Sequence, residues 1–182
     1  MKVCCFGDSN TYGYDPRGCF GGRYSQKSRW VDLVAAGTGW TVCNLGENGR
    51  CIPLRAVPFS ADAGLVILML GTNDLLQGLT PQAAAARMAH FVESLALERK
   101  KILLIAPPPL TRGAWVPDEA LVEASRALAG EYKTLAGQLG IAFADAGAWA
   151  IPLAYDGVHF TEAGHRAFAD GLLAVLAPYL QK

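Results

Sequence analysis

No run of apolar residues in this sequence is long enough to cross a membrane. The longest runs are strand-sized, and the one after Lys2 is too short for the core of a secretory signal. A soluble, cytoplasmic protein is therefore expected. Excess charge of either sign is also missing: Lys and Arg number 16, and so do Asp and Glu, which leaves no electrostatic footprint for nucleic acid or an anionic membrane. Cysteines are few and odd in number, five in all, which argues against a disulfide framework. Cys4, Cys5 and Cys43 fall in apolar runs and read as small core side chains. Cys19 and Cys51 fall in loops, where a reactive thiol is the alternative. They form no tight Cys/His cluster, so no metal or organic cofactor is expected.

Internal repeats and low-complexity linkers are absent as well. With 52% hydrophobic and 18% charged residues, the chain is not a disordered one. Its 182 residues suit one domain spanning 1–182. Strand-length apolar runs cover 2–6, 41–45, 65–70, 101–106 and 141–144. Helical patterns separate them. Trp30, Leu33 and Val34 mark the first. Thr80 and Pro81 form a helix start followed by a stripe of Ala84, Met88, Phe91, Val92 and Leu95. Leu121, Leu128, Tyr132, Leu135 and Leu139 form the next stripe. Thr161 caps a last helix that buries Phe168, Leu172, Val175, Leu176 and Tyr179. Gly171 inside it costs about 1 kcal/mol relative to alanine, so its surroundings must be tight or tolerant. Alternating strands and helices predict an α/β protein: a three-layer α/β/α sandwich on a five-stranded parallel sheet, with the flavodoxin-like order 2-1-3-4-5.

Ligands bind such sheets at the carboxyl ends of the strands. The segments found there are Gly7-Asp8-Ser9-Asn10, Gly46-Glu47-Asn48-Gly49, Gly71-Thr72-Asn73-Asp74, a long loop over 107–117, and Asp156-Gly157-Val158-His159. Each alone has a bland explanation: Ser9 as a helix cap, Gly-Thr-Asn-Asp and Asp-Gly as turns. All of them must coincide on one edge for the bland account to hold. A serine hydroxyl needs an adjacent base, and His159 is the candidate. His90 lies on a polar helix face, and His165, inside the last helix, suits packing or capping. Asp156, three residues before His159, can reach the imidazole Nδ1–H and fix its tautomer. The Gly46 N–H and the Asn73 amide would flank Ser9 as oxyanion donors. Strand 5 lies three strands from strand 1, an offset of about 14 Å, so the segment from 147 to 160 must fold back over the edge.

These blocks resemble the SGNH (GDSL-type) hydrolase family: Phe6-Gly7-Asp8-Ser9-Asn10 with Asn10 in place of the usual leucine, Asn44-Leu45-Gly46-Glu47-Asn48-Gly49, Gly71-Thr72-Asn73-Asp74, and Asp156-Gly157-Val158-His159. Four blocks in order along nearly the whole chain make the resemblance specific. Within the family, Met69-Leu70-Gly71-Thr72-Asn73-Asp74, Pro107-Pro108-Pro109-Leu110 and His159-Phe160-Thr161-Glu162-Ala163 look most like the arylesterase and acyltransferase branch. The resemblance implies a serine esterase for short acyl or aryl esters, with acyl transfer to alcohols in some members. Ser9 would be the nucleophile, His159 the base and Asp156 its orienter. The Ser9 N–H, Gly46 N–H and Asn73 amide would form the oxyanion hole. Asp8, Asn10, Leu110, Trp115 and Val158 are expected at the substrate. Carbohydrate acetylesterase, thioesterase or lysophospholipase activity are alternatives within the family. The only partner implied is a small-molecule ester, and a homo-oligomer is also compatible.

Two readings from other classes fit some of the same residues. His159, Glu162 and His165 could serve a metal, although their spacing puts the histidines on different helix faces. A flavodoxin-type binding module could cradle phosphate at its glycine turn, but the Gly-x-x-x-x-Gly-Lys pattern is missing.

Overall fold

The computed structural model describes residues 1–18 and 22–180. Five parallel strands form the sheet: β1 (Lys2–Gly7), β4 (Thr41–Gly46), β5 (Leu65–Met69), β6 (Ile102–Ala106) and β7 (Ala142–Asp145). Their order is β4-β1-β5-β6-β7, which is the expected 2-1-3-4-5. The run at 101–106 starts one residue late because Arg99–Lys101 forms a 3-10 turn. An additional antiparallel pair, β2 (Tyr14–Asp15) and β3 (Gly22–Arg23), follows the first helical turn, α1 (Ser9–Tyr12).

The central strands are buried on both faces, and their side chains alternate between two cores. Cys4, Phe6, Val66, Leu68, Ile102 and Leu104 point to one side. There they meet α4 (Pro81–Ser94) and α5 (Glu119–Leu139) through Met88, Phe91, Leu128 and Tyr132. Val3, Cys5, Leu65, Ile67, Leu103 and Ile105 point to the other. Their partners are α2 (Trp30–Thr38) and α6 (Glu162–Leu180), through Trp30, Val34, Phe168 and Leu172. Each large aliphatic side chain buried this way contributes about 1.5–3 kcal/mol, so the alternation itself holds the three layers together.

The helix starts follow their sequence signals. Thr80 Oγ1 accepts the Ala83 N–H at 3.2 Å, and Thr161 Oγ1 accepts the Gly164 N–H at 3.0 Å. Gly171 is explained by packing, since a Cβ there would lie 2.4 Å from the Trp149 ring. Trp149 closes the 3-10 turn Ala146–Trp149 that follows β7. From this turn the chain crosses back over the sheet edge. A bridge between Leu153 and Phe160 closes a tight loop with Asp156 at its tip. The expected 14 Å offset is spanned in this way.

Candidate active site

Asp8 begins the site. Its carboxylate accepts the Asn10 N–H at 3.0 Å and caps α1, which sets Ser9 at the first helical position. Ser9 Oγ lies 3.0 Å from His159 Nε2. His159 Nδ1 lies 2.7 Å from Asp156 Oδ2. The other oxygen, Asp156 Oδ1, accepts the N–H groups of Val158 at 2.9 Å and His159 at 3.0 Å. Burial would raise the Asp156 acid. The His159 N–H, its imidazole and the Val158 N–H outweigh burial and hold the carboxyl below its ordinary value. Asp156 is therefore an ionised acceptor at neutral pH. All three side chains are nearly buried.

Asn10 secures this arrangement. Its Nδ2 donates to Val158 O at 3.1 Å and its Oδ1 accepts the Phe160 N–H at 2.9 Å. One buried amide thus ties α1 to both sides of His159. A second brace comes from the loop after β6. Thr111 N–H donates to Gly157 O, and Trp115 N–H to Asp156 O. Gly157 has φ +81°, and a Cβ there would meet Thr111 O at 2.0 Å, so only glycine fits between the loops.

Beside Ser9 opens a cleft of about 170 Å³ lined by Ser9, Tyr14, Asn48, Gly49, Asn73, Trp115 and His159. A larger hollow of about 420 Å³, between Val57–Ala61 and the 96–101 segment, lies apart from these side chains and contains no histidine or cysteine. The His159 ring is flanked by Tyr14, with centroids 4.5 Å apart, and by Trp115 at 5.0 Å. Trp115 lines the cleft.

Other expected residues stand elsewhere. Asp8, Asn10, Leu110 and Val158 are buried and do not line the cleft. Leu110 and Val158 pack with Val116 and Val122 under the loop. Gly46 requires a correction: its N–H is donated to Asn44 Oδ1 at 2.9 Å and is not free for a ligand. It is glycine because β4 runs against α1, where a Cβ would lie 2.1 Å from the Tyr12 nitrogen. Gly49, with φ +73°, is the glycine at the cleft. Asn48-Gly49 is a strong turn dipeptide, the one sequence signal that marks it. Asn73 Nδ2 donates one hydrogen to Arg50 O at 3.0 Å, leaving the second for the cleft.

His165 is buried among Tyr24, Phe160 and Trp30, and Nδ1 accepts the Trp30 N–H. Burial, with Arg29 and His159 adding to it, pushes its pKa down to about 3. It is a neutral packing side chain. Glu162 pairs with Arg17, Arg166 and Ser28. Among the described residues no group of three or more His, Cys, Asp or Glu side chains is placed to hold a metal ion. No helix among them is long and apolar enough to cross a membrane. Cys51 is half-buried, and burial pushes its thiol up, against thiolate reactivity. Cys19 lies outside the described residues.

Burial also pushes the Asp8 carboxyl up to about 7, with Asp74 adding to the rise and the Asn10 N–H and Arg50 opposing it. The unfolded carboxyl titrates near ~3.9. Between those values the folded state binds more protons, so stability falls as pH rises from about 4 to about 7 and stays lower above. Asp8→Asn keeps the cap without the buried charge. We expect it to gain on the order of 1–4 kcal/mol over the parent at pH 8, several degrees in Tm, shrinking to almost nothing near pH 4. Thermal melts across that range check this, and a difference that does not change with pH would refute it.

A parallel α/β/α sheet that gathers these groups at its carboxyl edge defines a hydrolase of ester bonds. The chain belongs to the GDSL-like lipase/acylhydrolase family, whose model matches residues 5–167. Solved structures agree. A carbohydrate acetylesterase family member from Sinorhizobium meliloti is 28% identical, with 100% of each chain covered and a TM-score of 0.83. The native aryl esterase of M. smegmatis is 27% identical, with 99% of each chain covered and a TM-score of 0.84. No curated protein sequence matches the chain.

Proposed function

We propose that the protein is a serine esterase for short acyl esters, working through an acyl-enzyme on Ser9. The observation that carries this is the unbroken chain of hydrogen bonds from Ser9 Oγ through His159 to Asp156. His159 Nε2 takes the Ser9 proton as Oγ attacks the carbonyl carbon. Asp156 holds Nδ1 protonated and stabilises the imidazolium. The negative charge forming on the carbonyl oxygen is met by the Ser9 N–H, the Gly49 N–H and the second Asn73 amide hydrogen. His159 returns the proton to the departing alkoxide. Water, or a second alcohol, then attacks the acyl-enzyme by the same route.

The small cleft between Tyr14 and Trp115 favours acetyl to butyryl groups over long chains. The solved relative named as a carbohydrate acetylesterase family member supports a short acyl group. The aromatic walls exclude part of the solvent, which favours an alcohol acceptor and hence some acyl transfer. A panel of chromogenic esters of increasing acyl length tests the assignment. Turnover is expected to peak at short chains, and added alcohol to yield the transesterified product. A long-chain optimum would contradict it. In the same panel Asn73→Ala should lower kcat about 10²–10³-fold with little change in KM. An unchanged kcat would remove Asn73 from the oxyanion site.

A further inference from the structure

Arg50 does not line the cleft and makes no hydrogen bond to Ser9, His159 or Asp156, yet it touches every segment that supplies an oxyanion donor. One nitrogen, Nη1, donates to Gly7 O at 3.0 Å and also to Leu45 O. Gly7 O ends β1, two residues before Ser9. Leu45 O lies one residue before the end of the neighbouring strand β4, from which the turn carrying Gly49 departs. Nη2 pairs with Glu47 Oε2 at 2.5 Å, inside that turn. Arg50 N–H closes the turn on Glu47 O at 3.3 Å. Its own carbonyl receives the Asn73 amide. The guanidinium carbon sits 4.2 Å from the centre of the Phe6 ring, which fixes the fork's plane.

We propose that Arg50 is a positioning residue for oxyanion stabilisation. Its guanidinium clamps the carbonyl ends of β1 and β4, and its backbone carbonyl orients the Asn73 amide, so the three donors from separate segments keep one geometry. This rests on the esterase assignment above. A planar fork can bridge two carbonyls and a carboxylate at once, whereas an ammonium cannot do so in the same plane. Oxyanion donors act fully only when held within about half an ångström of the geometry that places them about 2.7–3.1 Å from the developing charge. Loosening the clamp therefore weakens transition-state binding more than substrate binding. The guanidinium is reachable from outside, because it lines a hollow of about 390 Å³ together with Leu45, Glu47, Val57 and Phe59.

Arg50→Ala and Arg50→Lys test this alongside the parent, with kcat, KM and affinity for a trifluoromethyl ketone as readouts. The ketone forms an oxyanion on a reactive serine and so reports on donor geometry. The expected result is a fall in kcat of about 10²-fold in Arg50→Ala, with KM within about threefold and ketone affinity falling in parallel with kcat/KM. Free guanidinium at millimolar, non-denaturing concentration restores both in Arg50→Ala. Arg50→Lys, which keeps the stem and the charge, shows an intermediate loss and carries the test if Arg50→Ala does not fold. Unchanged kcat, or a loss seen in KM alone with ketone affinity intact, overturns the proposal. Ser9→Ala is assayed beside them. Turnover surviving in Ser9→Ala defeats the esterase assignment itself. Turnover lost there but retained in the Arg50 variants defeats only the role of Arg50.

Discussion

Ser9→Ala is expected to lower kcat for a short-chain ester by on the order of 10⁴-fold or more, and His159→Ala by a similar factor. The double variant should be no worse than either single one. The physical reason is that Ser9 Oγ and His159 Nε2, 3.0 Å apart, act on one proton. Without the imidazole, the hydroxyl attacks as a neutral, weak nucleophile. Without the hydroxyl, the imidazole has no proton to take. Losses that multiply in the double variant would mean the two groups serve different steps. Folding is not expected to confuse the result. Ser9 is at the cleft surface of α1, and the capping and bridging at that turn are carried by Asp8 and Asn10. The melting curve of Ser9→Ala should stay close to the parent, whereas His159→Ala, which leaves the buried Asp156 carboxylate without its imidazole, should melt lower.

Asp156→Asn should cost about 10⁴-fold in kcat while leaving the fold intact. Asp156 has two oxygens with different duties. Oδ1 accepts two backbone N–H groups, and Oδ2 faces His159 Nδ1. An asparagine must keep its oxygen on the two N–H donors, since an NH₂ there would meet hydrogens head-on. Its NH₂ then faces Nδ1 and forces the proton onto Nε2. In that tautomer the imidazole cannot accept from Ser9. The loss should appear almost wholly in kcat, and a nitrogen NMR spectrum should show the changed tautomer. Activity within about tenfold of the parent would mean that Asp156 only shapes the loop.

The sheet was legible because its strands are short apolar runs that bury both faces, and period and length suffice to mark those. The helix faces followed from spacing, and Thr80-Pro81 and Thr161 from their capping chemistry. The placing of Ser9 and Asn73 on one edge follows from chain order in a parallel sheet, whereas Asp156 and His159 arrive there by the return of the 147–160 segment. Less was legible where a choice depends on backbone direction. Gly46 and Gly49 are both glycines at the carboxyl end of the same strand. Only the folded turn shows that Asn44 takes the Gly46 N–H and that Gly49 reaches the cleft. Asn10 looked like a ligand for substrate, but an amide between two chain segments 150 residues apart in sequence cannot be read locally. Tyr14 was missed because β2 is two residues long and has no periodicity. The return of the 147–160 segment begins where Trp149 seats on Gly171, a contact that sequence spacing does not reveal.

The most direct test is to trap the covalent species. The protein is treated with a serine-directed phosphonate, digested, and the modified peptide sequenced by mass spectrometry, in parallel with His159→Ala. A single adduct on Ser9, formed orders of magnitude more slowly when the imidazole is missing, is the predicted result. Labelling at another residue, or at Ser9 with equal speed in both proteins, would contradict it.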